Sequence, residues 1–371
     1  MSYLEVHMRI AVDARPLSIP ITGIGRYTNS LLAEMIPCGN EWVLYSDSPL
    51  NTELSNHVNV KIRCGKASPA SVSGLRYSQG QYRFWLKQDK PDLFWSPRHH
   101  LPLWLDREIP QVLTIHDVVW KRFPETMLWQ PRALERLLMP ASIKQADKII
   151  CVSQFTAAEL EVFWPKQAGK CVVIHSGALA QDIHSINGDI AEKPYILFVG
   201  TLEPRKNLRR LLGAFSQLVS ENRIEENLVI AGNKGWGGDD LPSIVSTLNI
   251  KGRVILKGYV DDDQLQQLYR NARCLVMPSL YEGFGLPVLE AMKFGIPAIV
   301  SESGSLPEVT GIAGLFVKAS SQESIAKAIE LLMRDTELHA RLSEQARKRS
   351  NDFSWQKAAK QTLAVFGNLT K

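Results

Sequence analysis

Two glutamates frame a glycine-rich turn in the second half of the chain, where residues 281–292 read YEGFGLPVLEAM. The turn follows a predicted strand over 273–278, and Gly285 and Pro287 favour the start of a helix directly after it. Such a turn presents backbone N–H groups and the positive end of the helix dipole to a ligand. Carboxylates accept hydrogen bonds from sugar hydroxyls, so the stretch predicts a sugar-nucleotide site. The residues assigned to this site are Glu282, Gly283, Phe284, Gly285, Leu286 and Glu290.

Each glutamate alone also has an ordinary explanation. Glu282 could be an acid favoured by the helix dipole, and Glu290 could be a solvated helix residue. The whole string argues against this alternative, because Gly-Phe-Gly is a costly choice for a surface loop and Glu290 has apolar neighbours.

Two adjacent cations, Arg205 and Lys206, follow a predicted strand over 195–200 and precede a helical segment. Cations at a helix start oppose the dipole, so an anion should compensate them. A diphosphate does so, with the guanidinium acting as a fork and the ammonium as a point charge. A solvated basic turn is the alternative.

Other turns at predicted strand ends carry small or polar residues. Asn233 and Lys234 lie in a glycine-rich turn assigned to the nucleotide, and Val260 and Ser305 are assigned to the same donor. Asp261–Asp263 resemble a metal-binding motif, but we interpret Asp261 as the cap of a helix over 264–271. The sequence therefore predicts no metal-ligand set.

The first half offers two further candidates. Gly23 and Gly25 open a helical pattern in the string TGIGRY, which invites a dinucleotide-binding interpretation with Asp47 as the acid. We reject it because Thr28 replaces the third glycine and the glycines lie well beyond the strand end. A loop that approaches a phosphate fits better.

His116 and Asp117 end a predicted strand over 111–115. Ionisable residues at the carboxyl end of a parallel strand lie at the edge where α/β sites form. The alternative is a core histidine satisfied by the backbone.

The string EGFGLPVLE resembles the E-x7-E motif of the retaining glycosyltransferases of family 4, which have the GT-B fold. The resemblance implies that Glu282 contacts the donor sugar and Glu290 the nucleotide ribose. It also implies that Gly23 and Gly25 contact the donor diphosphate, and that His116 and Asp117 lie beside the acceptor and the reacting sugar. Enzymes of this kind need no metal ion, and they are described as attacking from the leaving-group face.

Composition limits the remaining possibilities. The 371 residues suit two domains, and a net charge of +5 is too mild to indicate nucleic-acid binding. No apolar run of about 18 residues occurs, and the N-terminus lacks a signal-peptide core. The five cysteines are scattered, which favours a reducing cytosol and argues against a zinc site or disulfide framework. We expect a cytoplasmic protein, at most peripheral to the inner face of the cell membrane.

Buried strand patterns alternate with helical segments in both halves, which predicts parallel sheets covered on both faces. The predicted strands are 8–14, 41–46, 59–64, 92–97, 111–115, 148–153, 170–176, 195–200, 227–232, 253–258, 273–278 and 296–301. Residues 177–193 lack a clear period and are taken as a linker. The fold class is therefore α/β: GT-B, two doubly wound, Rossmann-like parallel-sheet domains facing across a cleft. The first domain (1–180) binds the acceptor, the second (190–352) binds the nucleotide sugar, and a final helix within 353–371 returns to the first.

The strings IAGNKGW and TGIGRY resemble bacterial mannosyl- and rhamnosyltransferases of lipopolysaccharide O-chain assembly. We therefore expect transfer of mannose from GDP-mannose to a glycan or polyprenyl-linked acceptor, with no cofactor besides the donor substrate. The alternatives are another donor (GDP-rhamnose or UDP-glucose), a nucleotide-sugar epimerase, and a non-catalytic nucleotide-binding module. The Glu pair and the Arg-Lys pair argue against an epimerase, and an intact His116 and Glu282 argue against a non-catalytic module.

A lipid-linked acceptor requires some contact with the bilayer. A predicted helix over 72–90 mixes aromatic residues with Arg76, Arg83, Lys87 and Lys90, near Lys66, and could lie along an anionic surface. The alternative is an ordinary amphipathic helix that packs Phe84 and Trp85 into the core.

Overall fold

The computed structural model describes residues 7–19, 22–65, 77–103, 105, 107–178, 194–237 and 240–370. The chain forms two compact units. The first unit comprises Met1–Val118, Gln130–Gly177 and Ser354–Lys371, and the second comprises Val119–Trp129 and Ala178–Phe353. The predicted linker lies almost wholly within 179–193, outside the described residues.

The first unit is built on a parallel sheet of seven strands in the order β3-β2-β1-β4-β5-β6-β7. Its strands are β1 (Arg9–Asp13), β2 (Glu41–Ser46), β3 (Val60–Cys64), β4 (Leu93–Ser96), β5 (Gln111–Ile115), β6 (Lys148–Cys151) and β7 (Cys171–Val173). The central strands β4 and β5 are buried along their whole length, as a sheet covered on both faces requires. All strands predicted in this half are present.

The second unit contains a parallel sheet of six strands in the order β10-β9-β8-β11-β12-β13. The strands are β8 (Tyr195–Val199), β9 (Asn227–Ala231), β10 (Val254–Gly258), β11 (Ala272–Met277), β12 (Ala298–Ser301) and β13 (Gly314–Val317). The edge strand β13 was not predicted, because its apolar run, residues 315–317, has only three residues and is too short to be assigned from periodicity. The sheets confirm the prediction of two doubly wound parallel-sheet domains.

Helices alternate with the strands in both units. In chain order they are α1 (Gly23–Met35), α2 (Tyr82–Asp89), α3 (Val119–Arg122), α4 (Trp129–Gln145), α5 (Gln154–Phe163), α6 (Leu208–Ser220), α7 (Leu241–Thr247), α8 (Asp262–Asn271), α9 (Leu286–Lys293), α10 (Leu306–Thr310), α11 (Gln322–Arg334), α12 (Thr336–Ser350) and α13 (Trp355–Leu369). The last helix, α13, packs against α1 within the first unit.

The helix predicted over 72–90 is shorter within the described residues. A π-helical turn, Tyr77–Gln81, leads into α2, which ends where Lys90 adopts a left-handed conformation. Trp85 is buried, whereas Phe84 is 56% exposed, so the alternative of two core aromatics holds for only one of them. Arg76 and Lys66 lie outside the described residues.

Each sheet has one point where the strand order reverses, between β1 and β4 in the first unit and between β8 and β11 in the second. The crevice beyond the carboxyl ends of such a strand pair is where ligands bind in open α/β sheets. The chain following these four strands therefore positions the site residues. In the part of the chain that the structure describes, no helix is both long and apolar enough to cross a bilayer.

Candidate functional site

The glycine-rich turn after β11 leads directly into α9. Gly285 caps the helix with φ 99°, a left-handed conformation that favours glycine, and Pro287 lies in the first helical turn. A side chain at Gly285 would also begin 2.6 Å from a methyl group of Leu306. The predicted helix start is confirmed, and it fixes Glu282 just before the helix and Glu290 within it.

The Glu282 carboxylate is 6% exposed and binds both predicted cations. Lys206 Nζ lies 2.6 Å from Glu282 Oε1, and Arg205 Nη1 lies 2.8 Å from Oε2. A second carboxylate, Glu203, accepts a 2.9 Å hydrogen bond from Arg205 Nε. The anions that face the two cations in this structure are thus side chains of the same unit. Binding of a diphosphate by Arg205 and Lys206 stays a prediction.

These charges determine the protonation states in the cluster. Burial would raise the pKa of Glu282, but the charges of Lys206 and Arg205 outweigh it and hold that pKa at about 2. Burial and the neighbouring Arg205 lower the pKa of Lys206, while burial raises the pKa of Glu203. Glu282 is therefore ionised at neutral pH and can accept hydrogen bonds from hydroxyl groups.

The turn before α10 holds the backbone of Glu282. The N–H and the hydroxyl of Ser305 each donate to the Glu282 carbonyl over 3.1 Å. A side chain at Gly304 would begin 2.7 Å from the same oxygen, so the two chain segments touch. Ser305 supports Glu282 through these bonds, and its direct contact with a donor stays a prediction.

Glu290 is 3% exposed, which excludes the alternative of a solvated helix residue. The hydroxyl of Tyr269, from α8, donates to Glu290 Oε2 over 2.8 Å. Helix α8 begins as predicted, because Asp261 caps it and exchanges reciprocal hydrogen bonds with Gln264.

The remaining donor-side residues differ in their exposure. Asn233 and Lys234 are exposed after β9, and Lys234 pairs with Leu202 through an isolated β-bridge. Val260 and Leu286 are partly buried, and Gly283 is buried. Phe284 is also buried, with its ring centroid 6.0 Å from that of Phe353, so it packs into the second unit.

In the first unit, His116 and Asp117 follow β5 and are both partly exposed. His116 Nε2 lies 2.8 Å from the Pro97 carbonyl. Because a carbonyl only accepts, Nε2 carries the proton and Nδ1 remains the acceptor nitrogen. Burial and the charge of His99 lower the pKa of His116 to about 4, so the ring is neutral at pH 7. The backbone satisfies Nε2, as expected for a core histidine, whereas Nδ1 can accept a hydrogen bond from a hydroxyl group.

The glycines predicted to contact phosphate lie at the start of α1 in the first unit. Gly23 is the first residue of the helix, and the N–H of Gly25 donates to the side chain of its cap, Thr22, over 3.1 Å. Tyr27, from the same helix, packs edge-on against His116 with ring centroids 4.8 Å apart. Helix α1 therefore helps to position His116.

The structure brings together two groups that sequence reasoning missed. Glu203 binds Arg205, a pairing that its position two residues earlier could have indicated. Glu135, from α4, lies 3.0 Å from His100 and 3.6 Å from His99 at the end of β4. No local signal indicates this second contact, because 35 residues separate Glu135 from His100.

Comparison with known proteins identifies the family of each half of the chain. The family model described as Glycosyltransferase Family 4 matches residues 21–178, and the model described as Glycosyl transferases group 1 matches residues 180–349. The O-antigen chain mannosyltransferase B of Escherichia coli is 29% identical over 97% of this chain and 99% of that protein.

Solved structures share the fold. The crystal structure of WaaG, a glycosyltransferase involved in lipopolysaccharide biosynthesis, aligns with a TM-score of 0.77 over 97% of this chain and 99% of that one, at 14% identity. The sucrose-phosphate synthase of Thermosynechococcus elongatus aligns with a TM-score of 0.75 over 98% of this chain and 99% of that one, at 20% identity. With both family models accounting for residues 21–178 and 180–349, the chain belongs to glycosyltransferase family 4, has the GT-B fold and is a hexosyltransferase.

Proposed function

We propose that this enzyme transfers mannose from GDP-mannose to a glycan or polyprenyl-linked glycan acceptor in O-antigen assembly, with retention of configuration and without a metal ion. The name of the E. coli relative supports the choice of sugar and pathway. The observation that carries the proposal is the ionised Glu282 held by Arg205 and Lys206 beyond the end of β11.

This cluster suits a sugar nucleotide because it supplies two cations for the diphosphate and a carboxylate for the sugar hydroxyls. The diphosphate would take over the hydrogen bonds of Arg205 and Lys206, which stabilise the negative charge that develops on the leaving group. Glu282 would then exchange its cation partners for hydroxyl groups of the donor sugar. The donor would thus replace Glu282 as the partner of the two cations.

The first unit would bind the acceptor, with His116 beside the reacting sugar. A neutral imidazole whose Nδ1 accepts a hydrogen bond can orient a sugar hydroxyl without adding positive charge. Glu290, on α9, would accept hydrogen bonds from the nucleotide ribose. A peripheral contact with the membrane would bring the enzyme to a lipid-linked acceptor.

A donor screen tests the proposal. Thermal stability is measured with GDP, UDP and their sugar conjugates, and GDP-mannose should raise the melting temperature most. Transfer is then followed from GDP-mannose to a mannose-terminated alkyl glycoside, and the new anomeric centre is assigned by NMR. Stabilisation by UDP-glucose alone would refute the donor, a β-linked mannose would refute retention, and mannose transfer to nothing but water would refute the acceptor class.

A further inference from the structure

Arg98 follows β4, at the edge of the first unit where the strand order reverses. Its side chain is partly buried, and within the described ranges it makes no hydrogen bond or ion pair. None of its nitrogens is among the fully buried unpartnered atoms, so the guanidinium remains accessible from the surface. A guanidinium presents five N–H donors and cannot lose its charge in a protein.

The acids near Arg98 are already bound by other side chains. Asp13 accepts two hydrogen bonds from the guanidinium of Arg15, at 2.8 Å and 2.5 Å, and one from the Tyr82 hydroxyl at 3.2 Å. Glu135 is held by His100 at 3.0 Å. Burial and the charge of Arg15 lower the pKa of Arg98, which indicates a cation that its surroundings do not fully compensate.

The equivalent point of the second unit behaves differently. There Arg205 and Lys206 are both paired, with Glu203 and Glu282, at the reversal between β8 and β11. In the first unit Arg15 is paired with Asp13, whereas Arg98 forms no ion pair with a carboxylate among the residues described. A partly buried cation without a carboxylate partner, at the edge of a sheet where ligands bind, suits an anionic acceptor from outside the chain.

Arg98 also adjoins the proposed catalytic histidine. The carbonyl of Pro97, the preceding residue, accepts the hydrogen bond from His116 Nε2 at 2.8 Å. Nε2 of His99, the following residue, accepts a 3.2 Å hydrogen bond from the backbone N–H of His116. A group bound by Arg98 would therefore lie on the loop that holds His116.

We propose that Arg98 binds an anionic group, a phosphate or a carboxylate, carried by the acceptor. The inference rests on the proposed function, because it takes the first unit as the acceptor-binding unit. The planar guanidinium matches either anion through two parallel hydrogen bonds. A neutral glycan would satisfy its donors in part but would leave the charge uncompensated.

Calorimetric binding tests the inference without any donor. Three probes carry the same mannose-terminated disaccharide on an alkyl diphosphate, on an alkyl chain with a terminal uronic acid, and on a plain alkyl chain. The wild type should bind one of the anionic probes more tightly than the neutral one, and the tighter probe identifies the anion. Arg98→Gln should weaken that probe about tenfold or more and the neutral probe less than about threefold, since charged hydrogen bonds exceed neutral ones.

Further variants keep the test decisive. Arg98→Lys retains the charge but loses the pair of parallel hydrogen bonds, so its affinity for the anionic probe should lie between those of the wild type and Arg98→Gln. An intermediate affinity would also show that the loss in Arg98→Gln is not caused by misfolding. Arg341→Gln, at an exposed position on α12, should bind all probes as the wild type does. Equal losses on the anionic and neutral probes, or no preference for an anion in the wild type, would overturn the inference. So would loss of diphosphate binding in Arg205→Gln with none in Arg98→Gln, which would place that anion at the donor cluster. Failure of the proposed function is seen separately, as absence of transfer from GDP-mannose.

Discussion

Replacing Glu282 by Gln should destabilise the second unit strongly, because it leaves Lys206 without a carboxylate and leaves Arg205 with Glu203 alone. The carboxylate is 6% exposed and lies 2.6 Å from Lys206 and 2.8 Å from Arg205. Its pKa is depressed from 4.5 to about 2, which corresponds to about 3 kcal/mol of stability at neutral pH. Breaking a buried ion pair by removing one partner costs about 3–5 kcal/mol, which agrees with this value.

The assay is urea and thermal unfolding at pH 7, followed by circular dichroism and read as separate transitions for the two units. A loss of about 3 kcal/mol should lower the melting temperature of the second unit by roughly 6–12 °C, given its size. Since the pKa of Glu282 is depressed on folding, its contribution is complete above pH 4.5 and disappears as the pH falls towards 2. The difference between wild type and variant should therefore shrink in acid.

A double-mutant cycle isolates the pair. Lys206→Met removes one of the two cations while keeping the length of the side chain. Combined with Glu282→Gln, it should cost less than the two single substitutions together by about 1 kcal/mol or more, because the ammonium that would be left unpaired is gone. A loss below about 1 kcal/mol for Glu282→Gln, or simple additivity in the cycle, would refute the reasoning.

The remaining predictions concern ligands. Arg205→Ala should weaken GDP binding by about 1.5–3 kcal/mol, which is the range for charged hydrogen bonds. An unchanged affinity for GDP in calorimetry would contradict the assignment of Arg205 to the diphosphate. Glu282→Gln should bind GDP at least as tightly as the wild type while losing transfer, because the carboxylate no longer competes with the diphosphate; weaker GDP binding would contradict this competition. Enzyme treated with EDTA should keep its activity, since Asp261 caps α8; loss of activity that Mn²⁺ or Mg²⁺ restores would show that Asp261–Asp263 bind metal. Arg83→Glu with Lys87→Glu should reduce sedimentation with anionic liposomes and leave catalysis on a soluble acceptor intact, and equal sedimentation would make α2 an ordinary surface helix.

A matched control accompanies the liposome experiment. Lys251→Glu with Lys257→Glu makes the same change in charge at exposed positions of the second unit. If this variant also loses binding, net charge rather than the face of α2 that carries Arg83, Phe84 and Lys87 determines the association.

The sequence by itself determined the fold class, because the signals for it are local. Buried runs such as 111–115 and 195–199 alternate with helical periods, which specifies parallel sheets covered on both faces. Gly285 and Pro287 located the start of α9, and Asp261 with Gln264 located the start of α8. Caps and turns are encoded within a few residues, so they can be recognised without the fold.

Only the tertiary structure decided how the charged residues are paired. Glu282 is 76 residues from Lys206 in the chain and 77 from Arg205, yet the folded second unit joins them. The partner of Glu290, Tyr269, comes from a different helix, and Glu135 reaches His100 from α4. Such pairings depend on which strands are neighbours in the sheet, and sequence spacing does not encode that order. The unpaired state of Arg98 within the described residues follows from the same neighbours, which is why only the structure could suggest an acceptor anion.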